Sequence, residues 1–345
     1  EANIGQEITE IGTVKKMYQE GSSYYVINTK GDVYAWGLNF SGRLGIGNMD
    51  DQESPKKISE LSNVEDIYTS NYTRFAKTTT GDVYAWGDNG SNQLGIGNED
   101  DQYSPVKITN LPKVDKIYAE ESNTYAITTA HEIYVWGANY SGQLGIGNTE
   151  NQNAPVKITN LTNIDEIYVN RSNAYAKTTT GEVYAWGYNN YGQLGIGNTE
   201  NQSTPVKMNT IKNIKYLSGG NSISAITETG EIYVWGNNEN GQLGIGSTEN
   251  QSTPVKRDTV NNVEEMLFLS TEGVDYIKTT AGDIYLWDGD DSELGIEDTS
   301  GNNKPISWNN QKITNIYSNK ELAGNSNIIW TNDGKIYRYY YGEPM

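Results

Sequence analysis

The sequence predicts an all-β fold, a seven-bladed β-propeller built from four-stranded blades. Two observations support this prediction: a repeat about fifty residues long, and short strand-like segments separated by glycine-containing turns within each repeat. A third is the lack of any ten-residue stretch with clear helical periodicity. Repeats of this length are typical of propellers, in which each repeat forms one blade. We therefore assign residues 1–345 to a single propeller domain.

A tryptophan at the end of the motif GDVYAWG marks each repeat. Six copies place their tryptophans 50, 50, 50, 49 and 52 residues apart, at Trp36, Trp86, Trp136, Trp186, Trp235 and Trp287. A seventh copy, GKIYRYY at 334–340, has Tyr339 in the tryptophan position. These copies predict seven blades.

Each repeat contains four predicted strands. In the third repeat VDKIYAE (114–120) and TYAITT (124–129) are the first two, because β-branched and aromatic residues dominate them. A glycine supplies a positive φ in the turn that leads to the VYAWG-type third strand. The fourth strand is the PVKIT segment, opened by a proline as an edge strand allows.

Packing between blades follows from the third strand. Val33 and Ala35 are predicted to face one neighbouring blade and Tyr34 and Trp36 the other, so that small alanine fits beside large tryptophan. Leu44 and Ile46 are predicted to anchor the loop that follows, by burying their side chains.

Closure of the ring is predicted from the two ends of the chain. Residues 6–18 align with 106–118 and so begin with a fourth-type strand, whereas the last repeat ends after a third-type strand. We expect Gln6–Glu10 to pair beside Ile336–Tyr340, which removes the exposed edges of a linear array.

The repeat resembles a known family. YVWGANYSGQLGIGN (134–148) and YAWGYNNYGQLGIGN (184–198) are similar to the regulator of chromosome condensation repeat, and the resemblance extends over essentially the whole chain. It implies a seven-bladed propeller and a bacterial-type member of the family. The name-giving member is a guanine-nucleotide exchange factor for the GTPase Ran and binds chromatin. Exchange on a small GTPase is therefore an alternative function.

Two departures from the family argue against exchange. Repeat spacings of 49 to 52 leave no room for the β-wedge that the exchange factor inserts among its blades. The family's Gly-Gly-x-His loop keeps its glycine pair only at Gly219–Gly220. Its histidine is replaced by Ser23, Thr73, Asn123, Asn173, Ser222, Val274 and Ser326.

Composition restricts the class of partner. There are 25 Lys and Arg against 44 Asp and Glu, a net charge of −19, which disfavours nucleic acid and anionic membrane surfaces. No apolar run reaches the length of a spanning helix, so membrane insertion is not expected. We expect a monomer that binds a protein partner. A secreted or cell-surface location is favoured by analogy with secreted protein-binding rings of this fold.

No catalytic residue, cofactor or metal site is predicted. The chain has no cysteine, and its one histidine, His131, occupies a turn position held by Gly81 and Gly181 in sister repeats. The acidic loops 47–54, 97–104 and 288–302 lack EF-hand spacing and are expected to be solvated turns. A glycan-binding or glycan-hydrolysing propeller stays a further alternative, because a propeller can bring distant carboxylates together.

Variation between repeats indicates where a partner binds. The loops after the second and fourth strands are nearly constant, whereas those after the first and third strands differ from repeat to repeat. Either these loops carry a recognition surface, or variation accumulates where packing is lax. On the first interpretation the chain is a non-catalytic interaction scaffold, and its partner-binding residues are Phe40, Tyr72, Arg74, Glu120, Glu121, Tyr140, Arg171, Tyr188 and Tyr191. The similarity of the repeats also fits a recently duplicated or designed array.

Overall fold

The computed structural model describes residues 10–120, 122–170 and 172–257, together with the backbone of separate strands between 263 and 340. The chain forms two compact units. One comprises Glu1–Thr179 with Gln202–Pro205, and the other Thr180–Asn201 with Val206–Met345. The assignment of 1–345 to one propeller domain stays a prediction.

Five four-stranded sheets follow one another along the chain, each with its strands in chain order. Neighbouring strands are antiparallel, as in the first sheet. The strands are β1 (Val14–Glu20), β2 (Ser23–Asn28), β3 (Val33–Gly37), β4 (Gln52–Lys57), β5 (Val64–Ser70), β6 (Thr73–Thr78), β7 (Val83–Gly87), β8 (Gln102–Lys107), β9 (Val114–Ala119), β10 (Asn123–Thr128), β11 (Ile133–Gly137), β12 (Gln152–Lys157), β13 (Ile164–Val169), β14 (Asn173–Thr178), β15 (Val183–Gly187), β16 (Gln202–Lys207), β17 (Ile214–Gly219), β18 (Ser222–Thr227), β19 (Ile232–Gly236) and β20 (Gln251–Arg257). A short 3-10 turn, Phe40–Gly42, follows β3. The all-β class and the four-stranded repeat are thus confirmed over these five blades.

The prediction that proline opens the fourth strand is wrong. In the first blade β4 begins three residues earlier, at Gln52, and Pro55 lies inside it. Ala35 pairs with Lys56 but Gly37 pairs with Gln52, so the register shifts between them and Pro55 sits within a bulge. A bulge leaves backbone groups unpaired, so a residue that lacks an N–H is tolerated there.

Beyond Arg257 the regular pattern changes. The sixth sheet has three strands, β21 (Val263–Phe268), β22 (Asp275–Thr279) and β23 (Ile284–Trp287). The last sheet has four, β24 (Ser307–Trp308), β25 (Gln311–Asn319), β26 (Ser326–Thr331) and β27 (Ile336–Tyr340).

Within the segment predicted as the fourth strand of the sixth repeat, the described residues Ser307–Trp308 pair with β25. The closing segment Gln6–Glu10 lies almost wholly outside the described residues, so the closed seven-bladed ring stays a prediction.

Tryptophans join successive blades. Trp86 of the second blade is buried in one cluster with Val33, Ala35 and Leu44 of the first blade. Its indole Nε1 donates a hydrogen bond to the carbonyl oxygen of Arg43 at 2.8 Å. The predicted match of small alanine to large tryptophan is confirmed here, and so is the burial of Leu44.

The same contact recurs in both units. Trp136 donates to the carbonyl oxygen of Gln93 at 2.8 Å, and Trp235 to that of Gln193 at 2.6 Å. A Cβ on Gly95 would stand 2.7 Å from the Trp136 ring, so the first glycine of LGIG is required by the tryptophan of the next blade.

A buried asparagine holds each loop in shape. In the third blade the Asn139 side chain donates to the carbonyl oxygens of Asn148 and Glu150, at 3.0 and 3.1 Å, and accepts from the Leu144 N–H at 2.9 Å. Asn39, Asn89, Asn189 and Asn238 bond in the same way. These bonds satisfy backbone groups that the tight loop cannot pair itself.

Charges alternate from blade to blade. Lys16 of β1 forms an ion pair with Asp66 of β5. Lys116 of β9 donates a hydrogen bond to the backbone carbonyl oxygen of Asp165 at 3.0 Å, and Asp165 directly precedes Glu166 in β13. One position of the second strand alternates in step, in the order Ile27, Lys77, Ile127 and Lys177. Lys77 lies 3.2 Å from Glu65, and Lys177 lies 3.1 Å from Glu166. In the first four blades, odd and even blades therefore carry complementary charges, whereas the fifth has Tyr216 at the position of Lys16.

We expect Gly95→Ala to lower the free energy of unfolding more than Gly97→Ala. Both glycines have positive φ, 69° and 89°, which costs alanine about 1 to 2 kcal/mol. Only Gly95 also touches a tryptophan, and overpacking there adds about 1 to 3 kcal/mol. Urea denaturation of the two variants measures the difference. Equal losses would show that the tryptophan contact does not require glycine.

Candidate functional site

The variable loops meet at one end of each blade. The N–H of Leu38, just after β3, donates to the Ser22 carbonyl oxygen at 3.1 Å, which joins the loop after the third strand to the loop after the first. In the second blade Asp88 bonds to Tyr72 in the same way at 3.2 Å. The predicted common face of these loops is therefore present in each of these blades.

An aromatic pair stands exposed on the first two blades. The rings of Phe40 and Tyr72 lie 5.3 Å apart between centroids, tilted by 55°. Phe40 is 64 % exposed and Tyr72 45 % exposed. Adjacent large apolar side chains left in water indicate an interaction site.

Two neighbours of this pair were missed by the sequence-based prediction. Leu38 is 46 % exposed, and the Nε of Arg43 donates to its carbonyl oxygen at 3.1 Å. The Arg43 guanidinium lies 5.7 Å from the centroid of the Tyr72 ring, a cation–π arrangement. We call Leu38, Phe40, Arg43 and Tyr72 the Phe40 patch. A signal was present in the sequence, since Arg43 stands where the next four repeats have Gln93, Gln143, Gln193 and Gln242.

The prediction that Arg74 lies on the exposed rim is wrong. Its side chain is fully buried, because β6 already begins at Thr73 and Arg74 lies within the sheet. Its Nε donates to the Tyr25 hydroxyl at 2.9 Å, and its Nη1 to the carbonyl oxygens of Asn71 and Thr73 at 2.8 and 2.9 Å. Burial raises the pKa of Tyr25, and the charge of Arg74 opposes that rise. Arg74 therefore supports the Tyr72 loop from within.

The remaining residues predicted to bind a partner lie in different blades. Tyr140 is 73 % exposed, and its hydroxyl accepts a hydrogen bond from Asn151 at 3.0 Å. In the second unit Tyr188 and Tyr191 contact each other edge to face, 6.4 Å between centroids, and both are half-buried. The half-buried Glu120 donates its backbone N–H to the Asn123 carbonyl oxygen at 2.9 Å. Glu121 and Arg171 lie outside the described residues.

His131 is a turn residue, as predicted. It is exposed and has a positive φ of 59°. Its carbonyl oxygen accepts from the Ile164 N–H at 3.0 Å, and its Nδ1 lies 3.0 Å from the Ile164 carbonyl oxygen. The side chain thus fastens the turn to β13.

Among the described residues, no group of three or more acidic or histidine side chains is placed to hold a metal ion. The same part of the chain contains no helix with the length and apolar character needed to cross a membrane. The acidic segment 288–302 lies almost wholly outside the described residues.

Solved structures share the fold of this chain. Prp20p from Saccharomyces cerevisiae is 18 % identical, with 88 % of this chain and 80 % of that chain covered and a TM-score of 0.63. The yeast protein bound to Kap60 gives 18 % identity, 88 % and 77 % coverage and a TM-score of 0.62. Human WBSCR16 is 20 % identical, with 71 % and 67 % coverage and a TM-score of 0.57.

No curated protein sequence matches the chain. The family model of the regulator of chromosome condensation (RCC1) repeat, however, matches residues 30–74, 80–127, 131–169, 180–227 and 229–266. A second model of that repeat matches 164–193 and 214–242. The first model alone matches more than half of the sequence, and the chain therefore belongs to the regulator of chromosome condensation (RCC1) repeat family.

Proposed function

We propose that this chain is a non-catalytic scaffold that binds a protein partner through the loops after its first and third strands. In this proposal the repeats form a monomeric seven-bladed ring closed by the N-terminal segment. The Phe40 patch carries the proposal, because it leaves the large side chains of Leu38, Phe40 and Tyr72 exposed in the loops after the first and third strands, with the Phe40 and Tyr72 rings in contact.

The loops that hold the patch are rigidly supported. A Cβ on Gly37 would stand 2.0 Å from the Ser22 carbonyl oxygen, and one on Gly87 the same distance from that of Tyr72. Loops this close to each other lose little conformational entropy when a partner binds. Preorganised aromatic side chains are the usual energetic centres of protein interfaces.

Relatives by fold also support a protein partner. The structure of Prp20p was described together with its binding to Gsp1p and histones, and yeast RCC1 was solved bound to Kap60. These proteins are under 25 % identical to this chain, so what they suggest here is the class of partner and not its identity.

We expect combined replacement of Tyr72, Tyr140 and Tyr188 by alanine to reduce partner capture at least tenfold. Loss of two or three interface aromatic residues costs about 2 kcal/mol or more in binding. The melting temperature should stay within about 2 °C, since exposed side chains contribute little to stability. The measurement is quantitative capture on the immobilised chain, followed by thermal denaturation of each variant.

Tyr216→Ala is the matched control. This tyrosine is 45 % exposed, as Tyr72 is, but it lies in β17 and not in a variable loop. It should leave capture unchanged. If the triple variant captures the partner as well as the wild type does, the loops are not the binding surface.

Exchange of guanine nucleotides on a small GTPase is the second candidate, favoured by the likeness to Prp20p at a TM-score of 0.63. Release of a fluorescent guanine nucleotide from a panel of small GTPases tests it. On the scaffold proposal, the chain leaves every release rate within about twofold of the spontaneous rate. An acceleration of about a hundredfold or more with one GTPase would instead support exchange.

A further inference from the structure

At Arg43 the first repeat lacks a hydrogen bond that a glutamine side chain forms in the next four repeats. In the other four described repeats the glutamine at this position accepts from a loop N–H, as Gln93 does from Ser91 at 2.8 Å and Gln143 from Ser141 at 2.9 Å. Arginine has no acceptor atom, so the first repeat lacks this bond. A residue that breaks a repeated local rule without a structural gain is a candidate for function.

The second repeat departs from the pattern at the same place. Arg74 occupies the position of Thr124, Ala174 and Ile223, and burying a guanidinium there is costly. Its Nη2 is buried without a hydrogen-bond partner among the described residues.

The two arginines lie around one tyrosine. The Tyr25 hydroxyl accepts from Arg74 Nε at 2.9 Å and donates to the Arg43 carbonyl oxygen at 2.7 Å. Neither guanidinium has a carboxylate within ion-pair distance in the part of the chain described, whereas Lys57 lies 3.0 Å from Asp32 at the outer edge of the first blade. This is unexpected in a chain with 44 acidic residues and only 25 basic ones.

We infer that the Phe40 patch recognises an acidic peptide segment of the partner, an inference that rests on the proposed function. An apolar side chain of the segment packs on Leu38, Phe40 and Tyr72, and an adjacent Asp or Glu carboxylate accepts hydrogen bonds from the Arg43 guanidinium. Charge complementarity favours this occupant, since Arg43, which keeps 8 % of its surface in solvent, and the fully buried Arg74 have no carboxylate within ion-pair distance among the described residues. Arg74 is a positioning residue that sets the local positive potential and holds the Tyr72 loop.

The probe is a fluorescein-labelled heptapeptide with Asp-Phe-Asp at its centre, and the measurement is fluorescence anisotropy at physiological ionic strength. Charges farther than about 8 Å from the peptide are then largely screened, so the overall negative charge of the chain has little effect. We expect this peptide to bind at least tenfold more tightly than the Asn-Phe-Asn and Lys-Phe-Lys versions.

Arg43→Gln restores the residue of the other repeats, so this variant folds with its melting temperature unchanged or raised. We expect it to weaken binding of the acidic peptide at least tenfold. Lys57→Gln removes the same charge from the same blade, at the outer edge, and should change the affinity less than twofold.

Three results would overturn the inference: no binding of the acidic peptide up to about 1 mM, equal binding of the Asn-Phe-Asn peptide, or equal losses in the two variants. The proposed function is tested separately by partner capture. Suppose that the triple tyrosine variant no longer captures the partner while Arg43→Gln still binds both the partner and the peptide. The proposed function is then supported, and only the inference that the patch recognises a carboxylate is overturned.

Discussion

One contact organises the fold of this chain: the tryptophan of one blade packs into the loop of the blade before it. The indole of Trp86 reaches the Arg43 carbonyl oxygen, and that of Trp136 reaches the Gln93 carbonyl oxygen. Each indole buries a large apolar surface and also satisfies a loop carbonyl group, so neither side of the contact can change alone. The glycine of LGIG, the alanine of the third strand and the clamping asparagine all serve to make room for this ring or to hold its acceptor in place.

The candidate partner surface lies at positions whose side chains take no part in the tryptophan contact. The loop tips after β3 and β5 differ in sequence from repeat to repeat, and there the first two repeats expose Leu38, Phe40 and Tyr72. Arg43 is the informative case. Its backbone carbonyl oxygen accepts the hydrogen bond from Trp86, but its side chain donates to the Leu38 carbonyl oxygen and cannot accept the loop N–H bond that glutamine accepts in the next four repeats. One residue thus keeps the contact with the next blade's tryptophan and places a positive charge where the next four repeats have glutamine.

The sequence was sufficient to predict the strands and the packing of alanine against tryptophan, because both are repeated in register. It was insufficient where the outcome depends on hydrogen bonds between strands. Pro55 was placed at the start of β4, but the bulge that absorbs it depends on how Gln52 pairs with Gly37. Arg74 was assigned to the variable loop after the first strand of its repeat, and only the actual start of β6 places it between Tyr25 and the Tyr72 loop. Arg43 could have been found, since the next four repeats have glutamine at its position, but nothing in the sequence brings it into contact with Tyr72.

The alternation of charge has a consequence for how such a chain can lengthen or shorten in evolution. Lys16 pairs with Asp66, and the positions that correspond to Asp66 in the next two blades hold Lys116 and Glu166. Unequal recombination that removes a single repeat would bring Lys16 beside Lys116, two like charges where an ion pair had been. Removal of two repeats would bring Lys16 beside Glu166 and restore the pair. Within the first four blades, recombination therefore preserves the pairing when it removes two blades, about one hundred residues, although each blade is a complete sheet by itself.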